Sequence, residues 1–433
     1  MNKKDYLSLA IFSICLLAFV SIANKIWFHD TAEYITIAKN LAGINNLNVY
    51  VTHSILYPSI ISLFLKISQG FTTIKIINIF WLILIALTFL IIKNKKAFIL
   101  FTFAPIVWYT SLQTTPILPA SLFFFWSYLF LKKEKLLLAG FFLGLSIALY
   151  DAMIFITFFF ILAFFWNNKF SNLVKFLIAA AVGFFPKMIV DYYYFRTPLF
   201  TSIKYAGTMF IGGADKLYFL KNPILLIMIL IISPLLFKMY KINFKEYKKE
   251  LSFIIMASLF LWMSKDLIKY FLLITPLIIF LLSKVISDKD LKWNSLISII
   301  LIIILTFNFF GATQDIAIEK DLNKIVEEFK PSYIISEQYN ANNLAMFYWK
   351  ETPKFVWYND FIAQEQGTTK LREYSFNLNK NQKINSRELL IFSGSFNKYE
   401  NQTYNNYIFV ARKENSLDNH EKIKCYDALC VYK

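Results

Sequence analysis

Residues 29–58 read HDTAEYITIAKNLAGINNLNVYVTHSILYP, a polar stretch that lies between two hydrophobic segments. This stretch, the opening loop, holds two carboxylates, two histidines and a Tyr-Pro pair. Carboxylates at the rim of a membrane are costly unless they have a partner or a function. The opening loop is therefore the first candidate for a functional segment.

The composition of the chain predicts a polytopic membrane protein. Apolar residues make up 57% of the 433 residues, with 47 Phe, whereas a soluble domain contains about 45–50%. The net charge of +17 comes from lysines that cluster in short loops between apolar segments, which is typical of membrane orientation rather than of nucleic-acid binding. Three cysteines do not make a disulfide scaffold, and both a bond and free thiols are open for Cys425 and Cys430.

About eleven apolar segments are predicted to span the membrane, with the N-terminus in the cytoplasm. Residues 55–67 are too short to span and are predicted to lie at the interface. Every Lys-rich cluster then falls on one side, which places an outer loop at 28–70, a second one at 191–222 and the C-terminal region outside. The predicted spans are residues 7–28, 71–92, 97–112, 117–131, 136–150, 152–166, 173–190, 223–237, 251–264, 267–286 and 295–310.

The composition becomes polar near residue 313, which predicts a boundary between a membrane domain at 1–312 and an extracytoplasmic α/β domain at 313–433. The fold class is thus an all-α polytopic membrane bundle with a small C-terminal α/β domain, in a structural or acceptor-facing role. Helices are predicted at 321–329 and 340–349, and strands at 332–336, 354–358, 389–393, 407–411 and within 422–432. The sequence of this domain contains no Gly-rich phosphate loop and no metal-ligand spacing.

The order of short motifs along residues 1–310 resembles the GT-C membrane glycosyltransferases, and most of all their protein O-mannosyltransferase and aminoarabinose transferase branch. One motif departs from that branch: Gln113-Thr-Thr115-Pro116 stands where the family often has Asp-Pro. The motifs that carry the resemblance are Asp30-Thr-Ala-Glu33-Tyr34 leading to Gly43, Leu56-Tyr57-Pro58, Lys135-Leu-Leu-Leu-Ala-Gly140-Phe-Phe-Leu-Gly144, Asp191-Tyr-Tyr-Tyr-Phe-Arg196-Thr-Pro198 and Lys269-Tyr270 before Pro276.

The resemblance implies an inverting transfer of a hexosyl or pentosyl group from a polyprenyl (dolichyl or undecaprenyl) phosphate to a glycan, lipid or protein acceptor on the outer face of the cytoplasmic membrane. It gives Asp30 the place of the catalytic carboxylate, a general base for the acceptor hydroxyl. Glu33 shares a helix face with Asp30, so the pair are also candidates to hold a divalent cation. The alternative role for Asp30 is to cap the following helix, with Glu33 at its third position.

The resemblance also suggests where the donor phosphate binds. Lys269, Tyr270 and Arg196 are the candidates, with Lys187 and Lys204 as weaker ones; snorkelling, an aromatic belt and an Arg196–Asp191 ion pair are the alternatives. Further candidates for substrate binding are His29, His53, Tyr57 and Asp151, and Asp151 is expected to pair with a Lys or to line a cavity.

Two other classes of function stay open at this point. A glycolipid transporter or flippase fits a polytopic chain, although the two halves show no internal repeat. A polysaccharide polymerase or ligase would act on pyrophosphate-linked glycans and would use an outer set of arginines, of which Arg196 is a single member.

Overall fold

The computed structural model describes residues 3–23, 30–44, 50–51, 53–166, 168–203, 242, 244–262, 271–310, 314–336, 338–350, 352–357, 375–376, 393–395, 406–413 and 420–433. This part of the chain is mainly helical with a small C-terminal sheet, which confirms the predicted fold class at that level. The helices of the first half are α1 (Lys3–Ala23), α2 (Asp30–Leu41), α3 (Leu56–Leu65), α4 (Phe71–Ile91), α5 (Lys95–Thr102), α6 (Pro105–Ser111), α7 (Ile117–Lys132), α8 (Leu136–Leu149), α9 (Met153–Phe165) and α10 (Phe170–Phe195). The later helices are α11 (Phe244–Trp262), α12 (Thr275–Val285), α13 (Asp288–Phe310), α14 (Gln314–Phe329) and α15 (Gln338–Phe347).

Three helices among the described residues are long and apolar enough to cross a membrane, at Lys3–Ile22, Phe71–Ile91 and Phe170–Phe195. The span predicted at 97–112 is wrong as a single helix, because Pro105 begins a new helix and cannot continue the preceding hydrogen-bond ladder. The span predicted at 223–237 lies outside the described residues. The total of about eleven spans stays a prediction.

Helices α8 and α10 pack closely because glycines remove side chains from their contact. A Cβ on Gly140 would come within 2.2 Å of Phe176 O, and one on Gly144 within 1.9 Å of Ala180 O. A Cβ on Gly183 would come within 2.0 Å of Phe141 O. Small residues spaced by four allow such close approach of helices in membranes. The Gly140…Gly144 motif is therefore a packing motif, and it fixes the ends of α8 and α10 relative to each other.

The C-terminal region contains a mixed five-stranded sheet. Its strands are β2 (Tyr333–Ser336), β3 (Lys354–Trp357), β6 (Tyr407–Arg412), β7 (Lys422–Cys425) and β8 (Leu429–Tyr432). They lie in the order β3-β2-β6-β8-β7, with β2 parallel to both β3 and β6, and β8 antiparallel to β6 and β7. A disulfide between Cys425 and Cys430 closes the β7–β8 hairpin, which decides between the two states left open for these cysteines.

A second, three-stranded sheet joins the opening loop to the C-terminal region. It contains β1 (Tyr50–Val51), β4 (Ser375–Phe376) and β5 (Ser393–Ser395) in the order β1-β5-β4. Tyr50 pairs with Ser395 in the antiparallel β1–β5 ladder. Aromatic contacts support the same arrangement, since the ring of Phe71 lies 5.2 Å from that of Phe347 between centroids. The C-terminal region thus packs directly on the segment that contains the candidate catalytic carboxylates.

Candidate functional site

Helix α2 begins at Asp30, and its first turn is held against a loop between α6 and α7. Thr31 is buried and its hydroxyl donates to Thr114 O at 3.3 Å. Nearly every residue from Thr31 to Lys39 is buried, so the helix is enclosed rather than lying on a surface. The side chain of Asp30 lies outside the described side chains. Its backbone position, next to the Gln113–Pro116 segment, is fixed by the Thr31 hydrogen bond.

Glu33 is buried and binds the far end of the opening loop. Its Oε1 accepts a hydrogen bond from the backbone N of His53 at 3.1 Å, and its Oε2 lies 3.1 Å from His53 Nδ1. The ring of His53 also lies 5.3 Å from that of Tyr34 between centroids. One carboxylate therefore holds both the main chain and the ring of a histidine that is twenty residues away, so Glu33 contributes to positioning the loop.

A chain of buried polar groups connects α3, α4 and the segment before α7. The Tyr57 hydroxyl donates to Asn78 Oδ1 at 3.4 Å, and Asn78 Nδ2 donates to Thr114 Oγ1 at 3.3 Å. Burial raises the pKa of Tyr57, so its hydroxyl stays protonated and able to donate. Thr114, which also receives the Thr31 hydrogen bond, is the point where these contacts meet.

Thr115-Pro116 stands where the sequence resemblance predicts Asp-Pro, and Thr115 has a structural role in this chain. Thr115 Oγ1 accepts a hydrogen bond from Ile117 N at 3.3 Å, at the start of α7. Thr115 therefore makes a local turn contact at this position. The neighbouring Thr114, rather than Thr115, reaches α2.

The C-terminal ends of α8 and α10 carry a buried ionic cluster beside this site. Ser54, next to His53, donates to Ala148 O at 2.9 Å and so ties the opening loop to the end of α8. Three residues further on, Asp151 Oδ1 lies 3.2 Å from Lys187 Nζ, which confirms the expectation that Asp151 pairs with a lysine.

Asp191 is the second acid of the ionic cluster. Its Oδ2 lies 3.5 Å from Lys187 Nζ and accepts hydrogen bonds from the Thr201 hydroxyl at 2.8 Å and the Thr201 N at 3.2 Å. The start predicted for the second loop, residue 191, is wrong, because α10 continues to Phe195 and includes Asp191. Lys187, the weaker phosphate candidate, is fully buried between the two aspartates.

Arg196 ends α10 with a left-handed backbone, φ 57°, and is exposed. Its backbone N donates to Tyr192 O at 2.9 Å. In the described part of the chain Asp191 pairs with Lys187, so the Arg196–Asp191 alternative is not observed and Arg196 stays a candidate for phosphate. His29, Lys204, Lys269 and Tyr270 lie outside the described residues.

The described residues contain no group of three or more His, Cys, Asp and Glu side chains arranged to hold a metal ion. Both carboxylate oxygens of Glu33 contact His53. A cation shared by Asp30 and Glu33 would have to compete with these contacts.

The sequence did not single out Asn78 or Thr114, which connect the first turn of α2 to α4. One available signal was that Asn78 is an uncharged polar residue inside a predicted span, since polar groups at such positions face the protein interior. No signal marked Thr114, because a threonine two residues before a proline is common in turns.

The fold of the chain is similar to that of two solved structures. The structures that match are those of ArnT from Cupriavidus metallidurans, an aminoarabinose transferase. ArnT in the apo state matches with a TM-score of 0.65 at 10% identity, over 99% of this chain and 97% of that chain. ArnT bound to undecaprenyl phosphate matches with a TM-score of 0.61 at 11% identity, over 100% of this chain and 98% of that chain. Neither a scan against protein-family models nor a search of curated proteins finds a match.

Proposed function

We propose that this protein is an inverting glycosyltransferase of the cytoplasmic membrane that takes a sugar from a polyprenyl phosphate. The observation that supports it most is the setting of α2 within this fold. The helix begins with Asp30, and its first turn contacts two other segments, through Thr31 to Thr114 and through Glu33 to His53. A catalytic carboxylate needs this kind of support, because small displacements of reacting groups cost much of the rate.

In the proposed reaction Asp30 accepts the proton of the acceptor hydroxyl. The acceptor oxygen forms a bond to the anomeric carbon, the bond from that carbon to the phosphate oxygen breaks, and the polyprenyl phosphate leaves with the bonding pair. The negative charge of Asp30 also favours the oxocarbenium-like transition state. Glu33 serves this step by holding His53 and the opening loop in place.

The donor is proposed from two considerations. The fold match includes ArnT bound to undecaprenyl phosphate, a lipid monophosphate. In this chain, Lys269, Tyr270 and Arg196 are the proposed phosphate contacts, because cationic and hydroxyl groups stabilise a phosphate monoanion or dianion. Lys187 is withdrawn from this set, since its ammonium lies between Asp151 and Asp191.

The C-terminal domain, residues 313–433, is proposed to lie outside the membrane on the acceptor side. Lys39 of α2 donates to Ala345 O at 2.6 Å at the end of α15, so this domain is packed against the helix that begins with Asp30. An acceptor that reaches Asp30 would therefore pass beside the C-terminal domain.

The test is a transfer assay in proteoliposomes that contain the full chain. Labelled sugar is supplied on undecaprenyl phosphate, on dolichyl phosphate or on a polyprenyl pyrophosphate, with lipid and peptide acceptors, and products are analysed for covalent transfer and anomeric configuration. The proposal predicts transfer from a monophosphate donor with inversion. Movement of the labelled donor between leaflets without covalent transfer would support a flippase, and use of the pyrophosphate donor alone would support a polymerase or ligase.

A further inference from the structure

An apolar cavity lies between α1, the break between α5 and α6, and α13. The break occurs at Phe103 and Ala104, where Pro105 starts a new helix, and this leaves space that a continuous helix would fill. The cavity has a volume of about 400 Å³, within the range of about 300–1,000 Å³ of ligand pockets. Its walls are formed by Ser8, Ile11, Phe12, Cys15, Phe98, Ile99, Thr102, Phe103, Trp108, Ile299, Ile302 and Ile303.

The hydroxyl and indole groups in these walls already have hydrogen-bond acceptors inside the protein. Ser8 Oγ donates to Lys4 O at 2.9 Å, and Thr102 Oγ1 donates to Ile99 O at 3.1 Å. Trp108 Nε1 donates to Thr102 O at 2.7 Å. What remains to contact a ligand is mainly hydrocarbon, so the cavity suits an aliphatic chain rather than a polar molecule.

The cavity opens sideways, between helices. Ile11 of α1 and Ile299 and Ile303 of α13 line it and are 52%, 39% and 48% exposed. Helix α1 is one of the helices long and apolar enough to cross a membrane. An aliphatic chain therefore reaches the cavity from the hydrocarbon of the bilayer without crossing water.

Each wall of the cavity carries a lysine at the same end. Lys4 precedes Ser8 and Ile11 by four and seven residues on α1, and Lys292 precedes Ile299 by seven on α13, spacings that keep residues on one helix face. Lys95 starts α5, three residues before Phe98.

Ion pairs show that these helix starts meet. Lys95 Nζ lies 3.1 Å from Asp5 Oδ1 of α1, and Lys96 Nζ lies 2.9 Å from Asp288 Oδ1 of α13. The starts of α1, α5 and α13, with the turn before α5, hold seven lysines against three aspartates. The lysines are Lys3, Lys4, Lys93, Lys95, Lys96, Lys289 and Lys292, and the aspartates are Asp5, Asp288 and Asp290. The excess positive charge attracts an anionic headgroup.

We propose that this cavity binds an anionic glycerophospholipid, with one acyl chain between α1 and α13 and the phosphate at the lysines. The sugar donor does not fit this role, because its phosphate would be at the wrong end of the bundle. Val20 shares a small cavity with Asn78 and Thr114 of the candidate site. Lys4 is about 24 Å from Val20 along the axis of α1, at about 1.5 Å per residue.

Native mass spectrometry of the delipidated full chain tests the proposal by titration with phosphatidylglycerol, with phosphatidylcholine of the same acyl chains, and with undecaprenyl phosphate. Wild type is expected to retain one phosphatidylglycerol at a concentration at least about tenfold lower than it needs for phosphatidylcholine. Lys4→Gln with Lys292→Gln should remove this preference, while Lys133→Gln with Lys175→Gln, two exposed lysines just after α7 and on α10, should keep it.

A second pair of variants tests the cavity itself. Ile299→Trp fills it and should weaken retention of both phospholipids at least about tenfold, whereas Ile300→Trp on the neighbouring exposed face should leave retention unchanged. Equal retention of both phospholipids by wild type, or unchanged retention in Ile299→Trp, would overturn the proposal. So would displacement of phosphatidylglycerol by undecaprenyl phosphate at equal concentration. If Ile299→Trp does not fold, the wild-type lipid comparison and the lysine variants decide.

Discussion

Lys39 and Lys187 are both fully buried. Neutral groups surround Lys39, whereas charged carboxylates surround Lys187. Lys39 Nζ donates to the backbone carbonyls of Ala345 and Tyr348 and lies 4.8 Å from the centroid of the Trp349 ring. These are dipoles and a π face, not formal charges. Carbonyls at the end of a helix and an aromatic face both attract a cation.

Lys187, in contrast, lies between formal charges. Asp151 Oδ1 is 3.2 Å away and Asp191 Oδ2 is 3.5 Å away, and the lysine also donates to the Thr201 hydroxyl. Asp151 in turn accepts a hydrogen bond from Ser202 at 2.7 Å. The cluster fixes the turn after α10 to the ends of α8 and α10.

Lys39 and Lys187 therefore have different structural roles beside the same candidate site. Lys39 joins two parts of the chain about three hundred residues apart, α2 and the end of α15. Lys187 neutralises Asp191 of its own helix and Asp151 in the turn after α8. Removing Lys187 leaves buried charges without a counter-ion, whereas removing Lys39 only takes one hydrogen bond from each of two neutral carbonyls.

The largest effect is therefore expected for Lys187→Met. Breaking a buried ion pair by removing one partner costs about 3–5 kcal/mol. Thermal unfolding of the purified Lys187→Met variant, followed by intrinsic fluorescence, should show a large loss of stability. Lys175→Met, at an exposed position of α10, should show no loss of stability. Adding Asp191→Asn to Lys187→Met should recover part of the loss. A double variant no more stable than Lys187→Met would show that charge is not the cause.

A smaller loss of stability is expected for Lys39→Met, which removes the hydrogen bonds of Lys39 to the Ala345 and Tyr348 carbonyls but no formal counter-charge. A typical intramolecular hydrogen bond contributes about 0.5–1.5 kcal/mol. Limited proteolysis should cut between the helical part and the C-terminal region faster than in wild type, and faster than in Lys66→Met, an exposed control. A loss of stability larger than that of Lys187→Met would show that Lys39 contributes more to stability than Lys187 does.

The two lysines can also be separated by pH. Burial lowers the pKa of the Lys39 ammonium well below its ordinary value of 10.5. Between the folded pKa and 10.5 the unfolded chain holds a proton that the folded chain has released, so stability rises with pH across that window. Unfolding by denaturant at a series of pH values should show this rise in wild type and a flatter profile in Lys39→Met. Parallel profiles would show that Lys39 does not titrate in this way.

The smallest effect is expected from breaking the exposed ion pair between Lys424 and Glu328, which serves as a reference for the two buried lysines. Lys424 Nζ lies 2.7 Å from Glu328 Oε2, and hydrogen bonds from Lys424 and then Tyr426 lower the pKa of Glu328 below its ordinary 4.5. The stabilisation is present above pH 4.5 and is lost as pH falls through the folded pKa. The unfolding free energy of Glu328→Gln should therefore be slightly lower than that of wild type at neutral pH and equal to it at acidic pH. A difference that persists in acid would have another origin.

Much of the helical framework could be predicted from the sequence, because apolar length and loop lysines are strong signals. The helices α4, α8 and α9 fall close to their predicted spans, and β2, β3 and β6 fall on predicted strands. The Pro105 break and the extension of α10 through Asp191 were missed. The break depends on one residue, Pro105, inside an apolar segment. The extension of α10 depends on Asp191, whose carboxylate is tolerated in a buried part of the helix because Lys187 pairs with it.

The candidate site was predictable as a segment but not as a set of contacts. The opening loop was singled out by its carboxylates, and the side chain of one of them, Glu33, contacts His53 of the same loop. The partners Thr114, Asn78 and Ser54 come from distant positions, and their residue types are common in turns and spans. Lys39 has no sequence signal, since a lysine in an amphipathic helix normally faces water.

The proposal that Asp30 is the catalytic base is best tested with the Asp30→Asn variant in the transfer assay. If Asp30 is the base, the variant should keep the thermal stability of wild type and bind the lipid donor, while turnover falls by about 10²–10⁴-fold. Asp427→Asn, at an exposed position in the β7–β8 hairpin, should transfer sugar at the wild-type rate. Full activity in a folded Asp30→Asn variant would show that Asp30 is not the catalytic base.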